Sequence, residues 1–233
     1  MTHDLRVQGG TGEHRRELRD IVRTLPRQVL LPAVAIYALV VAVGLLFTQV
    51  LDEYVVEPED AVDRGLAAHR SDGWTTVTGV FSTLASTGVI IGTMVVTAIV
   101  LRLTFKRWRE AVMIITAVSL QATIFLLTAA VIDRQRPDVS KLDAAPPTSS
   151  FPSGHVGAAT ALYLGIALLI AWHLRNTALR VFIIAALISI PLAVAVSRLY
   201  RGMHHPTDVV VGFANGLACL AVAVRAYRLE QRA

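Results

Sequence analysis

The residues of this sequence best suited to catalysis are two histidines in separate segments. His204 lies four residues before Asp208, and Pro206 between them suits the first turn of a helix. One helical turn would bring the carboxylate to the imidazole, which fixes one ring nitrogen and leaves the other as a nucleophile. His155 begins an apolar run elsewhere in the chain. We predict His204 as a nucleophile and His155 as a general acid.

Four further residues near these histidines have groups that bind phosphate. Arg136 and Arg198 carry planar, forked donors that match phosphate oxygens. Ser153 and Gly154 stand where a helix is predicted to begin, so free backbone N–H groups and the helix dipole can hold an anion there. These residues predict a single phosphate site with a nucleophile, an acid and a charge clamp.

The segments that position these residues are apolar. Hydrophobic residues make up 54% of the chain, and they are grouped in long runs. A membrane-spanning helix needs about 20 mostly apolar residues. Six runs qualify, and they cover about residues 29–51, 83–103, 111–132, 155–172, 181–196 and 209–224. We predict an all-α polytopic membrane protein with six transmembrane helices.

The remaining segments complete the predicted organisation. Residues 1–27 form a basic cytoplasmic tail, 28–228 the membrane domain and 229–233 a cytoplasmic C-terminal tail. An interfacial or broken helix is expected from Trp74 to the second span, and 138–152 is expected to be a loop. Trp74, Trp108 and Trp172 are expected at span ends, in an interfacial aromatic belt.

Positive charge sets the predicted orientation. Of the 22 Lys and Arg residues, 15 fall in the N-terminal tail, in the links at 102–109 and 173–180, and after span six. These segments are therefore predicted to be cytoplasmic, and the histidine segments face the extracytoplasmic side of the cell membrane. Because the arginines flank apolar blocks, the pI of about 9.9 reflects topology and not nucleic acid binding. A single cysteine, Cys219, excludes an intrachain disulfide and a cysteine metal cluster.

Each polar residue also has a plain structural interpretation when it is taken alone. Arginine at a span boundary usually sets topology, a Pro-Ser-Gly turn is usually a helix cap, and His205 is interpreted as an exposed neighbour of His204. Three polar clusters, at residues 133–137, 151–155 and 197–208, lie on one predicted face of the membrane. Their joint placement is harder to explain in this way. Ionisable groups at the edge of a membrane bundle are costly and usually functional.

These clusters resemble the signature of the type 2 phosphatidic acid phosphatase superfamily, which is Lys-x6-Arg-Pro, Pro-Ser-Gly-His and Ser-Arg-x5-His-x3-Asp. The second and third motifs match fully, at Pro152-Ser153-Gly154-His155 and at Ser197-Arg198, His204 and Asp208. The resemblance implies a six-helix bundle that uses no metal or other cofactor. It also implies a phosphohistidine intermediate on His204.

The first motif departs from the family at one position. Arg136-Pro137 is present, but Ala129 stands where the family has lysine. That lysine would add positive charge at the phosphate oxygens, where such charge stabilises the transition state. We hypothesise that Arg134 or Lys141 supplies the charge, and Arg134 is favoured because it is two residues from Arg136.

The predicted function is hydrolysis of a lipid phosphate or diphosphate at the bilayer. A polyprenyl diphosphate such as undecaprenyl diphosphate, the bacterial cell-wall carrier, is favoured because an extracytoplasmic site is where that carrier would be recycled. Phosphatidic acid and phosphatidylglycerophosphate are rival substrates, and phosphotransfer to another acceptor is an alternative reaction. A non-catalytic lipid-phosphate binder or transporter is an alternative of another class. Vanadate-dependent haloperoxidase ranks last, because this chain has six apolar spans, whereas those enzymes resemble larger soluble proteins.

Overall fold

The computed structural model describes residues 28–230, and this part of the chain is helical without strands. It contains eight helices: α1 (Gln28–Val50), α2 (Asp52–Ala68), α3 (Asp72–Leu84), α4 (Thr87–Phe105), α5 (Arg109–Val131), α6 (Gly154–His173), α7 (Thr177–Tyr200) and α8 (Pro206–Glu230). The helix α6 is π-helical over Thr160–Leu164. The predicted tail at 1–27 and residues 231–233 lie outside the described residues.

Six of these helices are long and apolar enough to cross a membrane, namely α1 and α4 to α8. This confirms the predicted all-α, six-span architecture. The last three spans extend beyond the predicted limits, and three of the added polar residues, Ser197, Arg198 and Asp208, are buried in the protein. Ser197, for example, continues α7 and donates a hydrogen bond to the Thr78 carbonyl at 2.6 Å. Helix α8 also includes Leu229 and Glu230, which the sequence analysis assigned to the C-terminal tail.

Two helices that do not span precede α4. The predicted broken helix is α3, which ends at Leu84 and is separated from α4 by Ala85 and Ser86. Thr83 therefore belongs to α3, and Trp74 lies in the first turn of α3 and not at a span end. Helix α2 was missed, because its sequence is acidic and too polar to be recognised as a membrane span. Glu59 of α2 accepts hydrogen bonds from Arg134 and from the Thr207 backbone N–H, and these contacts position the helix.

The succession of spans places the connecting segments on two faces of the bundle. Residues 51–86, 132–153 and 201–205 share one face, here called the site face, and residues 106–108 and 174–176 lie on the other. About half of the apolar stretch of α6 and of α8 is buried, against 11% in α1, α4 and α7. Helices α6 and α8, which carry His155 and Asp208, are thus among the inner ones, together with α5.

Glycines allow α6 and α8 to pack closely. Gly212 and Gly216 have the four-residue spacing that favours close helix contact in membranes. A Cβ atom at Gly216 would lie 2.5 Å from the Gly157 carbonyl oxygen, and one at Gly212 would collide with the backbone of Ser153. The second of these contacts sets the distance between α8 and the start of α6.

We expect Gly212→Ala to destabilise the protein by about 1 to 3 kcal/mol, because overpacking against a fixed backbone forces the helices apart. Thermal unfolding of the purified protein in detergent measures this effect. Gly92→Ala is the matched control, because a Cβ there meets no atom within 4 Å and alanine favours a helix. Equal melting temperatures for the two variants would contradict the packing argument.

Candidate active site

His204 lies in the link between α7 and α8 with its imidazole buried. Its Nδ1 atom is 2.7 Å from the Ser150 carbonyl oxygen and 3.7 Å from Oδ2 of Asp208. Both neighbours are acceptors, so Nδ1 carries the proton and Nε2 keeps its lone pair. Burial lowers the pKa of His204, and Asp208 offsets this only in part. The ring is therefore held as a neutral imidazole with a nucleophilic nitrogen.

Asp208 lies in the first turn of α8 and is fully buried. Its carboxylate accepts hydrogen bonds from the Arg134 guanidinium and from the backbone N–H of His205, the latter at 2.9 Å. Its backbone carbonyl accepts a hydrogen bond from the Ser153 N–H, also at 2.9 Å. Asp208 thus fixes the start of α6 as well as the His204 segment.

The guanidinium of Arg134 is engaged by protein groups on both terminal nitrogens. One nitrogen donates to Asp208 and to the Thr207 hydroxyl, and the other donates to Glu59 of α2. Glu59 in turn accepts the Thr207 backbone N–H at 2.6 Å. This arrangement counts against the hypothesis that Arg134 replaces the family lysine at the phosphate, because its charge is balanced by two buried carboxylates.

Three of the predicted phosphate-binding residues each keep one buried donor with no hydrogen-bond partner among residues 28–230. These atoms are Nε of Arg136, Nε of Arg198 and Oγ of Ser153. Both arginines are anchored through Nη1, Arg136 on the Met203 carbonyl and Arg198 on Ser82 and Asp143, each at 2.7 Å. Since buried donors are normally paired, the three free donors indicate an acceptor-rich ligand such as phosphate.

The start of α6 differs in one detail from the prediction. The backbone N–H of Ser153 is not free, because it donates to Asp208. The hydroxyl of Ser153 is the unpaired group, and Gly154 begins the helix directly after it. A side-chain donor therefore takes the place of one of the two predicted backbone donors.

His155 lies in the first turn of α6 and is half-buried. Its ring is within electrostatic range of His204, Arg198 and Arg136. His155 of α6 and His204 of the link before α8 therefore interact electrostatically with the same pair of arginines.

Asp143, which the sequence analysis did not single out, links two of the arginines. Its carboxylate accepts hydrogen bonds from Arg198 at 2.7 Å, Ser82 at 2.9 Å and two nitrogens of Arg201. Burial alone would raise the pKa of Asp143, but the hydrogen bonds from Arg201 and Ser82 and the charge of Arg198 lower it to about 2. No spacing pattern could have revealed this residue, because it lies within an irregular loop.

A cavity of about 330 Å³ opens beside Arg136 on the site face. It is lined by Asp133, Arg134, Gln135, Arg136, Lys141, Pro146, Pro147, Thr148 and Ser149. Lys141 is exposed at this cavity, so its ammonium group is available to a ligand that reaches beyond Arg136. Lys141 is the second residue that the sequence analysis considered as a substitute for the missing lysine.

The helices and this site define a class of protein: a polytopic membrane protein with two histidines and a set of unpaired buried donors at one end of a six-span bundle. Residues 110–232 match the family model of the PAP2 superfamily. The chain belongs to this family.

Individual relatives agree with this membership. Over 89 residues the chain is 40% identical to phosphatidylglycerophosphatase B of Bacillus subtilis (strain 168), a match that covers 37% of this chain and 42% of that protein. The crystal structure of a transmembrane PAP2-type phosphatidylglycerolphosphate phosphatase from B. subtilis has a TM-score of 0.71 at 21% identity, covering 82% of this chain and 93% of its own. Aquifex aeolicus LpxE has a TM-score of 0.58 at 22% identity, covering 71% and 93%. The two structures support the fold.

We expect Arg134→Gln to lower the free energy of unfolding by about 3 kcal/mol, because it leaves Glu59 and Asp208 as buried carboxylates without a cation. Thermal unfolding in detergent and turnover of a lipid phosphate should fall together. Arg175→Gln, in the exposed link between α6 and α7, is the control and should change stability by no more than about 0.5 kcal/mol. An Arg134→Gln protein with unchanged melting temperature and lost turnover would restore the phosphate-clamp hypothesis.

Proposed function

We propose that this protein is a membrane phosphatase that hydrolyses a lipid phosphate or diphosphate through a phosphohistidine on His204. The observation that carries the proposal is the set of three unpaired buried donors, on Arg136, Arg198 and Ser153, beside two histidines. Membership of the PAP2 superfamily and the similarity to phosphatidylglycerophosphatase B support the same chemistry.

In the first step, Nε2 of His204 attacks phosphorus in line with the lipid oxygen. The negative charge on the equatorial oxygens is stabilised by the free donors of Arg136, Arg198 and Ser153, which are already oriented by protein contacts. The phosphorus–oxygen bond to the lipid breaks as His155 gives its proton to the leaving oxygen. The products are a lipid alcohol, or a lipid monophosphate from a diphosphate, and phosphohistidine.

In the second step, the same groups act in reverse on water. His155, now neutral, accepts a proton from a water molecule that attacks phosphorus, and the bond to Nε2 of His204 breaks. Inorganic phosphate leaves, and both histidines return to their starting protonation states. No metal takes part in either step.

Asp143 has a positioning role in this mechanism. It holds the Nη1 edge of Arg198 together with Ser82, which leaves the Nε edge of the guanidinium for phosphate. The carboxylate also forms an ion pair with Arg201, so it balances part of the positive charge of both arginines.

The proposed location is the cell membrane, with the tails in the cytoplasm and the site on the extracytoplasmic side. The bias of Lys and Arg towards the tails and the links opposite the site face supports this orientation. A lipid substrate can then keep its chains in the bilayer while its headgroup reaches the end of the bundle.

Among lipid substrates, two classes have specific support. The matched relative is named for phosphatidylglycerophosphate, which makes a glycerolipid monophosphate a candidate. The cavity beside Arg136, with Lys141 at its edge, favours a diphosphate such as a polyprenyl diphosphate. There the second phosphate would occupy the cavity while the first binds at the histidines.

We expect His204→Ala to lower phosphate release by about 10⁴-fold or more, because the nucleophile is removed. His155→Ala should lower it by about 10²- to 10⁴-fold, the usual contribution of a general acid. The assay compares phosphatidylglycerophosphate, phosphatidic acid, undecaprenyl phosphate and undecaprenyl diphosphate in detergent.

His69→Ala is the matched control. His69 is an exposed histidine of the site face, directly after α2, and its ring contacts the carbonyl of Gly65 in that helix. It should retain wild-type turnover. Wild-type protein that binds these lipids but releases no phosphate would favour a non-catalytic binder. A phosphorylated acceptor in place of free phosphate would favour a phosphotransferase.

We expect Lys141→Gln to lower kcat/KM for undecaprenyl diphosphate by about tenfold, through loss of a charged contact to the second phosphate. Hydrolysis of the monophosphates should change by much less. Lys106→Gln, at the opposite face of the bundle, is the control. Equal losses on monophosphate and diphosphate would instead assign Lys141 the role of the missing family lysine.

A further inference from the structure

A second cluster of ionisable side chains lies on the site face, between α2 and the start of α8. Asp60 and Asp63 are three residues apart, on the same side of α2, and His205 faces them from the link before α8. One ligand atom from each of these three residues lies within 4.8 Å of the other two. Neither aspartate belongs to the motifs discussed above.

The Asp63 carboxylate is the feature that the contacts of residues 28–230 leave unexplained. Its side chain is only 1% exposed, and neither of its oxygens has a hydrogen-bond partner in the described part of the chain. An ionised carboxylate without a partner is costly to bury, so such groups are normally paired or coordinate a metal. Burial, reinforced by Glu59 and Asp60 against the opposing effect of His205, raises the pKa of Asp63 to about 7.

His205 is oriented as a metal ligand would be. The sequence analysis interpreted it as exposed, but its ring is buried between two carboxylates. Its Nδ1 faces Oδ2 of Asp208 and its Nε2 faces Oδ1 of Asp60, each at 3.5 Å. Metal-binding histidines usually direct one ring nitrogen to a carboxylate and coordinate through the other. Here the coordinating nitrogen would be Nε2.

The spacing of the donor atoms fits a small cation. Nitrogen and oxygen ligands at about 2.0 to 2.1 Å from a tetrahedral zinc ion lie about 3.3 Å apart. The separation between His205 and Asp60 is 3.5 Å, and the nearest Asp63 oxygen lies within 4.8 Å of both ligand atoms.

We propose that Asp60, Asp63 and His205 bind one divalent transition-metal ion of the Zn²⁺ class, with water as the remaining ligand. One imidazole with two carboxylates favours this class, because Mg²⁺ and Ca²⁺ prefer ligand sets made only of oxygen. The ion gives Asp63 the partner that it lacks. It also reduces the repulsion between Asp63 and its acidic neighbours.

The metal would have a positioning role and no part in phosphoryl transfer. It joins α2 to His205, which lies between His204 and the helix that carries Asp208. The inference does not depend on the proposed phosphatase reaction, since the three ligands do not contact the phosphate donors. It departs from the sequence-based expectation of a protein without metal, because α2 was absent from that analysis.

Tag-free, full-length protein in detergent is stripped of metal, incubated with Zn²⁺ and desalted, and bound zinc is measured by elemental analysis together with the melting temperature. Wild type should retain about one zinc ion per chain and gain about 5 °C in melting temperature. Asp63→Asn and Asp60→Asn, which keep the side-chain shape, should lose this zinc ion and the gain. Glu57→Gln, an exposed position of the same helix, should behave as wild type.

Two results would overturn the proposal. In the first, wild-type protein retains no zinc and the Asp63→Asn variant melts at a higher temperature than wild type. The cluster would then hold only a proton and an imidazolium. The other is zinc retained equally by wild type, Asp60→Asn and Asp63→Asn, which would place the ion at other residues. Both readouts are independent of activity, so a failure here is distinct from a failure of the phosphatase proposal.

Discussion

The buried residue Asp208 makes the interactions on which the rest of the site depends, because its carboxylate and its backbone carbonyl together hydrogen-bond to the Arg134, His205 and Ser153 segments of the site face. Its side chain accepts hydrogen bonds from Arg134 and from the N–H of His205, and its backbone carbonyl accepts the N–H of Ser153. A carboxylate in a medium of low polarity is tolerated only when such donors surround it. The segments are therefore held in one arrangement, with His204 between them.

The arginines of the site face differ in how completely protein groups satisfy them, and this difference separates structural from ligand-binding roles. Arg134 and Arg201 direct their terminal nitrogens at carboxylates, hydroxyls or carbonyls. Arg136 and Arg198 are anchored through one nitrogen and keep Nε unpaired. An anchored guanidinium with one free edge is preorganised for an anion, because little side-chain entropy is lost on binding.

Close packing in the apolar part of the bundle is what brings these groups together. The glycines Gly157, Gly212 and Gly216 let α6 and α8 approach to backbone contact, so the segments at their ends share one small volume. The buried end of α7 and the buried start of α8 need internal partners, and α3 and α2 supply them through Ser82 and Glu59. The two helices that do not span the membrane therefore complete the site from outside the bundle.

The sequence by itself determined the six spans and the identity of the histidine and arginine motifs, because apolar length and motif spacing are local properties of the chain. Only the tertiary structure decided which polar groups are satisfied. It paired Arg134 with Glu59, which lies 75 residues away, and it buried Asp63 and His205 in one cluster. Helix α2 is too polar to be recognised as a membrane span, and its position depends on charge pairing between distant segments. Such pairing leaves no pattern in the order of residues, because it depends on contacts that exist only after the helices have packed.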